Sequence, residues 1–238
     1  MSNNQLKDNI TNVLERVRRK SQKRQLGNSD ILVLAVRKTR PAEDVAAAHV
    51  CGLSDFGENY LQEALPKITA LQALPLVWHY IGPIQSNKTR AIAENFSWVH
   101  TVDREKIARR LSEQRPPHLP PLQVCLQVNI SNEASKSGIA LPELPDLARA
   151  VAGLPHLQLR GLMCIPAPEP AGADQRAPFR KMRENLDELR KHYPQMDTLS
   201  MGMSADMDAA IDEGATIIRI GTAIFGPRLT GAAARADH

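Results

Sequence analysis

The 238-residue sequence predicts a single α/β domain, a (β/α)8 barrel with an extra helix at its N-terminus. Short apolar runs alternate with longer amphipathic ones along the chain, and a strict alternation of strands and helices is typical of a parallel sheet. Eight apolar runs fall between residues 31 and 222, which is the number that closes a barrel. An open, doubly wound sheet is the alternative, but no GxGxxG follows the first predicted strand.

The predicted elements follow one another in the order that a barrel requires. A first helix over about 5–25 precedes the barrel, which spans about 30–228, and a flexible tail over about 229–238 follows it. The first apolar run, "ILVLAV" at 31–36, is rich in Ile and Val and free of Gly and Pro, as in a strand buried on both faces. The other predicted strands are 53–58, 76–82, 97–102, 122–130, 157–165, 197–202 and 216–222, and the clearest helical patterns are 41–52, 141–154 and 179–193.

Composition excludes several classes of protein. With 42% hydrophobic and 24% charged residues, the chain can bury a full core and is not disordered. No apolar run approaches the roughly 20 residues that cross a bilayer, and the polar N-terminus lacks the apolar segment of a signal peptide. Three widely spaced cysteines indicate reduced thiols, and no Cys-x-x-Cys pair suggests a metal site. We therefore expect a cytoplasmic protein without a metal ion.

Much of the net charge of +4 comes from one basic segment, residues 16–24. This segment fits a solvated face of the first helix. A contact with nucleic acid or another polyanion is the weaker alternative, because a single basic stripe is not specific. We expect no nucleic-acid partner.

An anion site is predicted where the seventh and eighth strands end. Ser204 has the features of a helix N-cap, with Asp206 in the first turn and Gly214 at the C-terminal end. Gly221 and Thr222 follow the eighth strand, and Gly221 allows a ligand to approach the backbone closely. In barrels, the loops after these two strands and a helix N-terminus form a recurring phosphate site. A plain helix cap is the alternative explanation of Ser204 taken alone.

Two cationic side chains are predicted beside this anion site. Arg219 lies two residues before Gly221 and so points to the same side of its strand, where it either forms a salt bridge or contacts a ring-shaped ligand. Lys38 follows the first strand, which adjoins the eighth in a closed barrel, and a partly desolvated lysine near a cation readily becomes a neutral nucleophile. Together these features predict pyridoxal 5′-phosphate (PLP) held as a Schiff base on Lys38. The phosphate is then expected at Ser204, Gly221 and Thr222, and the pyridine nitrogen at Arg219.

Five segments show a family resemblance: "LAVRKTRP", "FGENYLQEALPKI", "WHYIGPIQSNKTR", "GLMCIPAP" and "LSMGMSADMDAAIDEGATIIRIGTAIFGPR". In this order, between residue 31 and about 228, the sequence resembles the pyridoxal phosphate homeostasis protein family. The resemblance implies a single-domain barrel like the N-terminal domain of alanine racemase (fold type III), with Lys38 as the cofactor lysine. It implies the same contacts for phosphate and pyridine nitrogen. The remaining cofactor-binding candidates are Asn59, His79 and Met163, which match positions lining the pocket, and Met203, in the segment after the seventh strand.

The resemblance implies a carrier or buffer in intracellular PLP homeostasis, with apo-enzymes as transient partners. An arginine at the pyridine nitrogen acts as a donor and keeps that nitrogen unprotonated, which weakens the ring as an electron sink. The racemase also takes a second base, a tyrosine, from a C-terminal domain without a counterpart in this sequence. We therefore predict no catalytic residue and, without an obvious interface stripe, a monomer. A small racemase-type enzyme and a cofactor-free Schiff-base aldolase or polyanion-binding barrel are the alternatives.

Overall fold

Eight parallel strands form one closed barrel. The computed structural model describes residues 2–24, 30–36, 41–131, 133, 136–167 and 174–226. The strands are β1 (Leu32–Val36), β2 (Asp55–Glu58), β3 (Val77–Tyr80), β4 (Trp98–Val102), β5 (Leu122–Val128), β6 (Leu157–Cys164), β7 (Thr198–Ser200) and β8 (Ile217–Ile220). Each strand pairs with the next in sequence, and β8 pairs with β1 to close the ring.

Helices lie between the strands and cover the outside of the barrel. They are α1 (Asn3–Lys23), α2 (Ala42–Val50), α3 (Leu61–Ala70), α4 (Thr89–Asn95), α5 (Glu105–Gln114), α6 (Leu144–Ala152), α7 (Ala177–Arg190), α8 (Met207–Asp212) and α9 (Thr222–Phe225). Single-turn 3-10 helices occur at Ser86–Lys88 and Leu141–Glu143. The predicted fold class, a (β/α)8 barrel with an additional N-terminal helix, is confirmed.

The strands are apolar because they are buried on both faces. In β5 every residue except Gln123 is buried, and the barrel core consists mainly of Leu, Ile, Val and Ala side chains. The helices contribute one apolar stripe each: α7 buries Phe179, Met182, Leu186 and Leu189, which recur every three or four residues. Removal of apolar surface from water, worth roughly 25 cal/mol per Å², is the main force that holds these layers together.

Helix α1 packs against the short helices that follow β7 and β8. Ser2 is its N-cap and accepts a hydrogen bond from the Gln5 N–H. Its buried apolar stripe consists of Leu6, Ile10, Val13 and Val17. This stripe holds α1 against α8 and α9, beside the seam where the barrel closes.

Part of the basic segment 16–24 is neutralised within the fold. Arg16 and Lys20 form ion pairs with Asp208 and Asp212 of α8, at 3.1 and 2.8 Å. These contacts agree with the interpretation of the segment as a charged helix face. The second of these pairs is less exposed than the first, so it contributes more to docking α1.

The last two strands are shorter than the sequence predicts. β7 ends at Ser200, since Gly202 adopts a φ of 93° that an extended strand does not use. β8 ends at Ile220, because Gly221 is already the N-cap of α9. The ends of both strands thus pass directly into turns that lead into short helices.

Two classes of feature are missing from the described residues. None of their helices is long and apolar enough to cross a membrane. Nor do these residues contain a cluster of three or more His, Cys, Asp or Glu side chains arranged to hold a metal ion.

Candidate cofactor site

The candidate site lies at the rim formed by the carboxyl-terminal ends of the strands, where barrel proteins bind their ligands. One part of this rim is a concavity of about 270 Å³ beside the ends of β3 to β6, lined by residues that include Thr101, Gln127 and Lys136. The segments after β7 and β8 form the other part. The predicted ligand-binding residues belong mainly to this second part.

Arg219 lies inside the barrel beneath the rim and is almost completely buried. Its Nη1 donates hydrogen bonds to the Ser200 carbonyl at 2.7 Å and to the Ser200 Oγ at 2.9 Å, and its Nη2 donates to the Cys164 carbonyl at 2.9 Å. Ser200 and Cys164 are the last residues of β7 and β6. The guanidinium is therefore held at the carboxyl-terminal end of the barrel, as the sequence predicts.

The guanidinium of Arg219 has more donors than the described residues satisfy. Of its five N–H groups, the Nε–H and one Nη2–H find no acceptor among these residues, and no carboxylate among them forms an ion pair with it. Burial lowers the pKa of Arg219, against opposing contributions from Cys164, Asp206 and Cys125. Leaving some donors of a buried cation without acceptors is costly, so an acceptor-bearing group placed next to these donors would stabilise Arg219.

The turn after β7 differs from the prediction for Ser204. The helix begins at Met207, and Asp206, not Ser204, is the N-cap residue. The Asp206 carboxylate accepts a hydrogen bond from the Met203 N–H, so it stabilises the turn in place of the helix end. Ser204 is half-buried within this turn, and Gly214 ends the helix with a φ of 92°, as predicted.

The turn after β8 lies against the end of β1. A Cβ on Gly221 would lie 2.9 Å from the Val36 carbonyl oxygen, which is too close. Only glycine lets this turn approach β1 so closely. Thr222, the first residue of α9, is exposed. Val36 is also the last residue described before Lys38, which itself lies outside the described residues.

Asn59 follows β2 at the rim and is half-buried. A Cβ on Gly82 would lie only 2.0 Å from the Asn59 carbonyl oxygen, so the segments after β2 and β3 pass in direct backbone contact. The Thr101 hydroxyl donates a 2.6 Å hydrogen bond to the Gly82 carbonyl. Three neighbouring strand ends are thereby tied together around Asn59.

His79, a predicted pocket-lining residue, lies below the rim. It is completely buried in the barrel interior and hydrogen-bonded to Asp55 and His100. Its ring stacks on Trp98 with centroids 5.5 Å apart. Because Asp55 and Trp98 begin their strands, these two contacts of His79 lie towards the opposite, amino-terminal end of the barrel, whereas His100 leads to Ser200 at the end of β7.

Met163 and Met203 occupy different environments. Met163 is fully buried and precedes Cys164, whose carbonyl binds Arg219. Met203 is 41% exposed in the turn after β7. Met203 is therefore accessible from solvent, whereas Met163 is not.

Sequence reasoning missed three polar residues of the barrel interior: Asp55, His100 and Ser200. His100 is hydrogen-bonded to His79 at 2.9 Å and to the Ser200 hydroxyl at 2.8 Å. A signal was present, because His79 and His100 both interrupt apolar runs on neighbouring strands and therefore share the buried interior. Burial, with smaller contributions from His79 and Arg219, lowers the pKa of His100 well below its usual value.

Comparison with known proteins identifies the family. Residues 4–228 match the family described as alanine racemase, N-terminal domain. A pyridoxal phosphate homeostasis protein of Pseudomonas aeruginosa is 60% identical over 227 residues, covering 95% of this chain and 97% of the relative. This chain belongs to the pyridoxal phosphate homeostasis protein family. A member of the family from Escherichia coli K12 is 51% identical over 228 residues, covering 94% of this chain and 97% of the relative.

Solved structures agree with this family assignment. PipY of Synechococcus elongatus PCC7942, in its structure with PLP bound, is 35% identical and superimposes with a TM-score of 0.78, covering 93% of this chain and 100% of PipY. Alanine racemase from Corynebacterium glutamicum is only 16% identical, with a TM-score of 0.69 and coverage of 95% and 61%. This second likeness concerns the barrel fold alone, which family members share with the racemase domain.

Proposed function

We propose that this protein binds PLP at the rim of its barrel and acts in PLP homeostasis as a carrier that holds and releases the cofactor. The single observation that supports this function best is the buried guanidinium of Arg219, which has donors to spare and no carboxylate partner among the described residues. A pyridine nitrogen is a neutral acceptor of the kind that such donors require. The family relationship supports the same ligand.

The residues after β7 and β8 fit the phosphate of PLP. The first N–H groups of α9 have no acceptor within the helix, and the Thr222 hydroxyl beside them is exposed. Gly221 keeps the backbone clear of a side chain at this point. We propose that Ser204, Gly221 and Thr222 hold the phosphate and that Met203 covers the ligand from the neighbouring turn.

Lys38 is the proposed covalent attachment point. PLP supplies an aldehyde that a lysine amine can attack. Lys38 follows Val36 by two residues, and the Val36 carbonyl lies against Gly221. β1 thus ends, two residues before Lys38, next to the proposed phosphate site.

The remaining predicted residues are proposed to line or support the pocket. Asn59 is tied to the rim through the backbone contact with Gly82. Met163 forms part of the floor beside Cys164. For His79 we propose an indirect role, because its hydrogen-bonding nitrogens are both used inside the barrel.

A carrier is favoured over an enzyme. Relatives of this chain are named homeostasis proteins. Arg219 donates towards the ligand and so disfavours a protonated pyridine nitrogen, the form that withdraws electrons best. The racemase uses a tyrosine as its second base. Tyr80 is not a free candidate for this role, because its hydroxyl already donates a hydrogen bond to the Pro83 carbonyl. Holo-protein mixed with amino acids in deuterated water should exchange no hydrogen at Cα, and any exchange would favour the racemase-type alternative.

The attachment point can be tested by borohydride reduction. The purified protein should be yellow, bleach on reduction and then yield a phosphopyridoxyl mass on the peptide that contains Lys38. Lys38→Ala should abolish this adduct, whereas Lys106→Ala, on the exposed face of α5, should leave it intact. A protein that stays colourless with added PLP, or an adduct that persists in Lys38→Ala, would contradict the proposal.

A further inference from the structure

A continuous line of buried polar side chains crosses the barrel interior. The His79 Nε2 lies 2.9 Å from the Asp55 Oδ1, and the His79 Nδ1 lies 2.9 Å from the His100 Nε2. The His100 Nδ1 lies 2.8 Å from the Ser200 Oγ, which is 2.9 Å from the Arg219 Nη1. Every side chain in this line is buried except that of Asp55, which is 21% exposed.

The chemistry of the two ends fixes the direction of the hydrogen bonds. A carboxylate only accepts, so His79 donates through Nε2–H to Asp55. A neutral His79 then accepts at Nδ1 from His100 Nε2–H, and a neutral His100 accepts at Nδ1 from the Ser200 hydroxyl. The guanidinium of Arg219 only donates, so the Ser200 oxygen offers it a lone pair.

The neutral state of both rings agrees with their surroundings. Burial lowers the pKa of His79 against the opposing effect of Asp55, and burial, His79 and Arg219 together lower the pKa of His100. Among the described residues, no other ionised carboxylate hydrogen-bonds either ring. One proton added to His79 would reverse the bonds as far as Ser200, whose hydroxyl hydrogen would then lose His100 as its acceptor.

We propose that Asp55, His79, His100 and Ser200 are positioning residues that orient the Arg219 guanidinium towards the ligand. Their hydrogen bonds all run in one direction, from Arg219 at the rim to Asp55 near the amino-terminal end of the barrel, and we call this series the directional chain. The Ser200 hydroxyl is the element that connects the chain to Arg219. Because its hydrogen points to His100, a lone pair of its oxygen faces the Arg219 Nη1. The part of this proposal that concerns the ligand rests on the proposed function, whereas the direction of the chain does not.

Nitrogen-15 NMR of the histidine rings in the ligand-free protein tests the direction. His79 and His100 should both be neutral and protonated at Nε2. Asp55→Ala removes the acceptor at the far end, and we expect His100, two links away, to shift towards protonation at Nδ1. Asp146→Ala is the matched control, because Asp146 is exposed and pairs only with Arg149 among the described residues. The proposed direction would be wrong if His100 of the wild type were protonated at Nδ1, or if its protonation did not change in Asp55→Ala.

PLP binding then tests the positioning role. Ser200→Ala leaves the two carbonyl acceptors of Arg219 in place and removes the hydroxyl that joins Arg219 to His100. We expect the dissociation constant for PLP to rise about tenfold, because a guanidinium that is no longer held in one orientation loses most of its charge-assisted hydrogen bond to the ligand. The absorption maximum of the bound cofactor should shift as well, which a general loss of stability does not produce.

The two proposals fail in different ways. Wild-type protein that binds no PLP would contradict the proposed function, while the histidine NMR would still decide the direction of the chain. Wild-type protein that binds PLP, together with a Ser200→Ala variant of unchanged affinity and spectrum, would refute the positioning role alone. If Ser200→Ala does not fold, His100→Phe keeps a ring in the same place, removes the acceptor of the Ser200 hydroxyl and is judged by the same two readouts.

Discussion

Thr222 occupies the first position of α9, where its hydroxyl and the neighbouring backbone N–H groups lie together at the rim. A phosphate placed there accepts charge-assisted hydrogen bonds, which are stronger than neutral ones. Thr69 in α3 is an exposed threonine outside the predicted phosphate site. The two threonines therefore provide a comparison at the level of single atoms.

Thr222→Val should weaken PLP binding while leaving the barrel intact. The change removes one hydroxyl and keeps the shape of the side chain, so the loss should be about 1.5–3 kcal/mol, or roughly 10-fold or more in the dissociation constant. Titration of the ligand-free protein with PLP, followed by absorbance, measures it. Thr69→Val should bind like the wild type. Equal affinities for the two variants would mean that Thr222 does not contact the phosphate.

At the level of the elements, a buried ion pair joins the end of β2 to α3. Lys67 of α3 donates a 2.7 Å hydrogen bond to the Glu58 Oε1, and both side chains are almost completely buried. Glu58 directly precedes Asn59 at the rim. This ion pair holds α3 against the end of β2. Because Asn59 is the next residue after Glu58, it also helps to position Asn59.

Lys67→Met should destabilise the fold substantially. The apolar substitute fills similar space but removes the Lys67 cation from the buried Glu58 carboxylate, and breaking a buried ion pair costs about 3–5 kcal/mol. Urea unfolding gives the change in the free energy of unfolding. Lys106→Met, at an exposed site on α5, serves as the control and should shift it by less than about 0.5 kcal/mol. A loss below about 1 kcal/mol for Lys67→Met would show that Glu58 does not depend on this lysine.

At the level of the whole molecule, the sequence predicted the barrel well and its polar interior poorly. Periodicity gave eight strands in order because each strand is a local apolar run, and the two-residue period placed Arg219 on the inner side next to Gly221. The partners of His79 could not be predicted in this way, because they come from other strands. The contact between His100 and Ser200 spans 100 positions. Such contacts follow from how strands stagger around the closed ring, which no local pattern records.

The polar interior also makes the stability of the whole molecule depend on pH. Burial lowers the pKa of both His79 and His100 in the folded protein, whereas in the unfolded chain each titrates near 6.5. Below pH 6.5 the unfolded state therefore binds more protons than the folded state, so the free energy of unfolding falls as the pH falls and is unaffected by these groups at higher pH.

The slope can reach about 1.4 kcal/mol per pH unit for each histidine. Urea unfolding of the ligand-free protein at about pH 7.5, 6.5 and 5.5 measures this slope, and His118→Gln, a substitution at an exposed position, is the control. A free energy of unfolding that stays constant down to about pH 5.5 would mean that the two buried rings take up protons without cost. The directional chain to Arg219 would then lose its basis, because it requires both rings to be neutral.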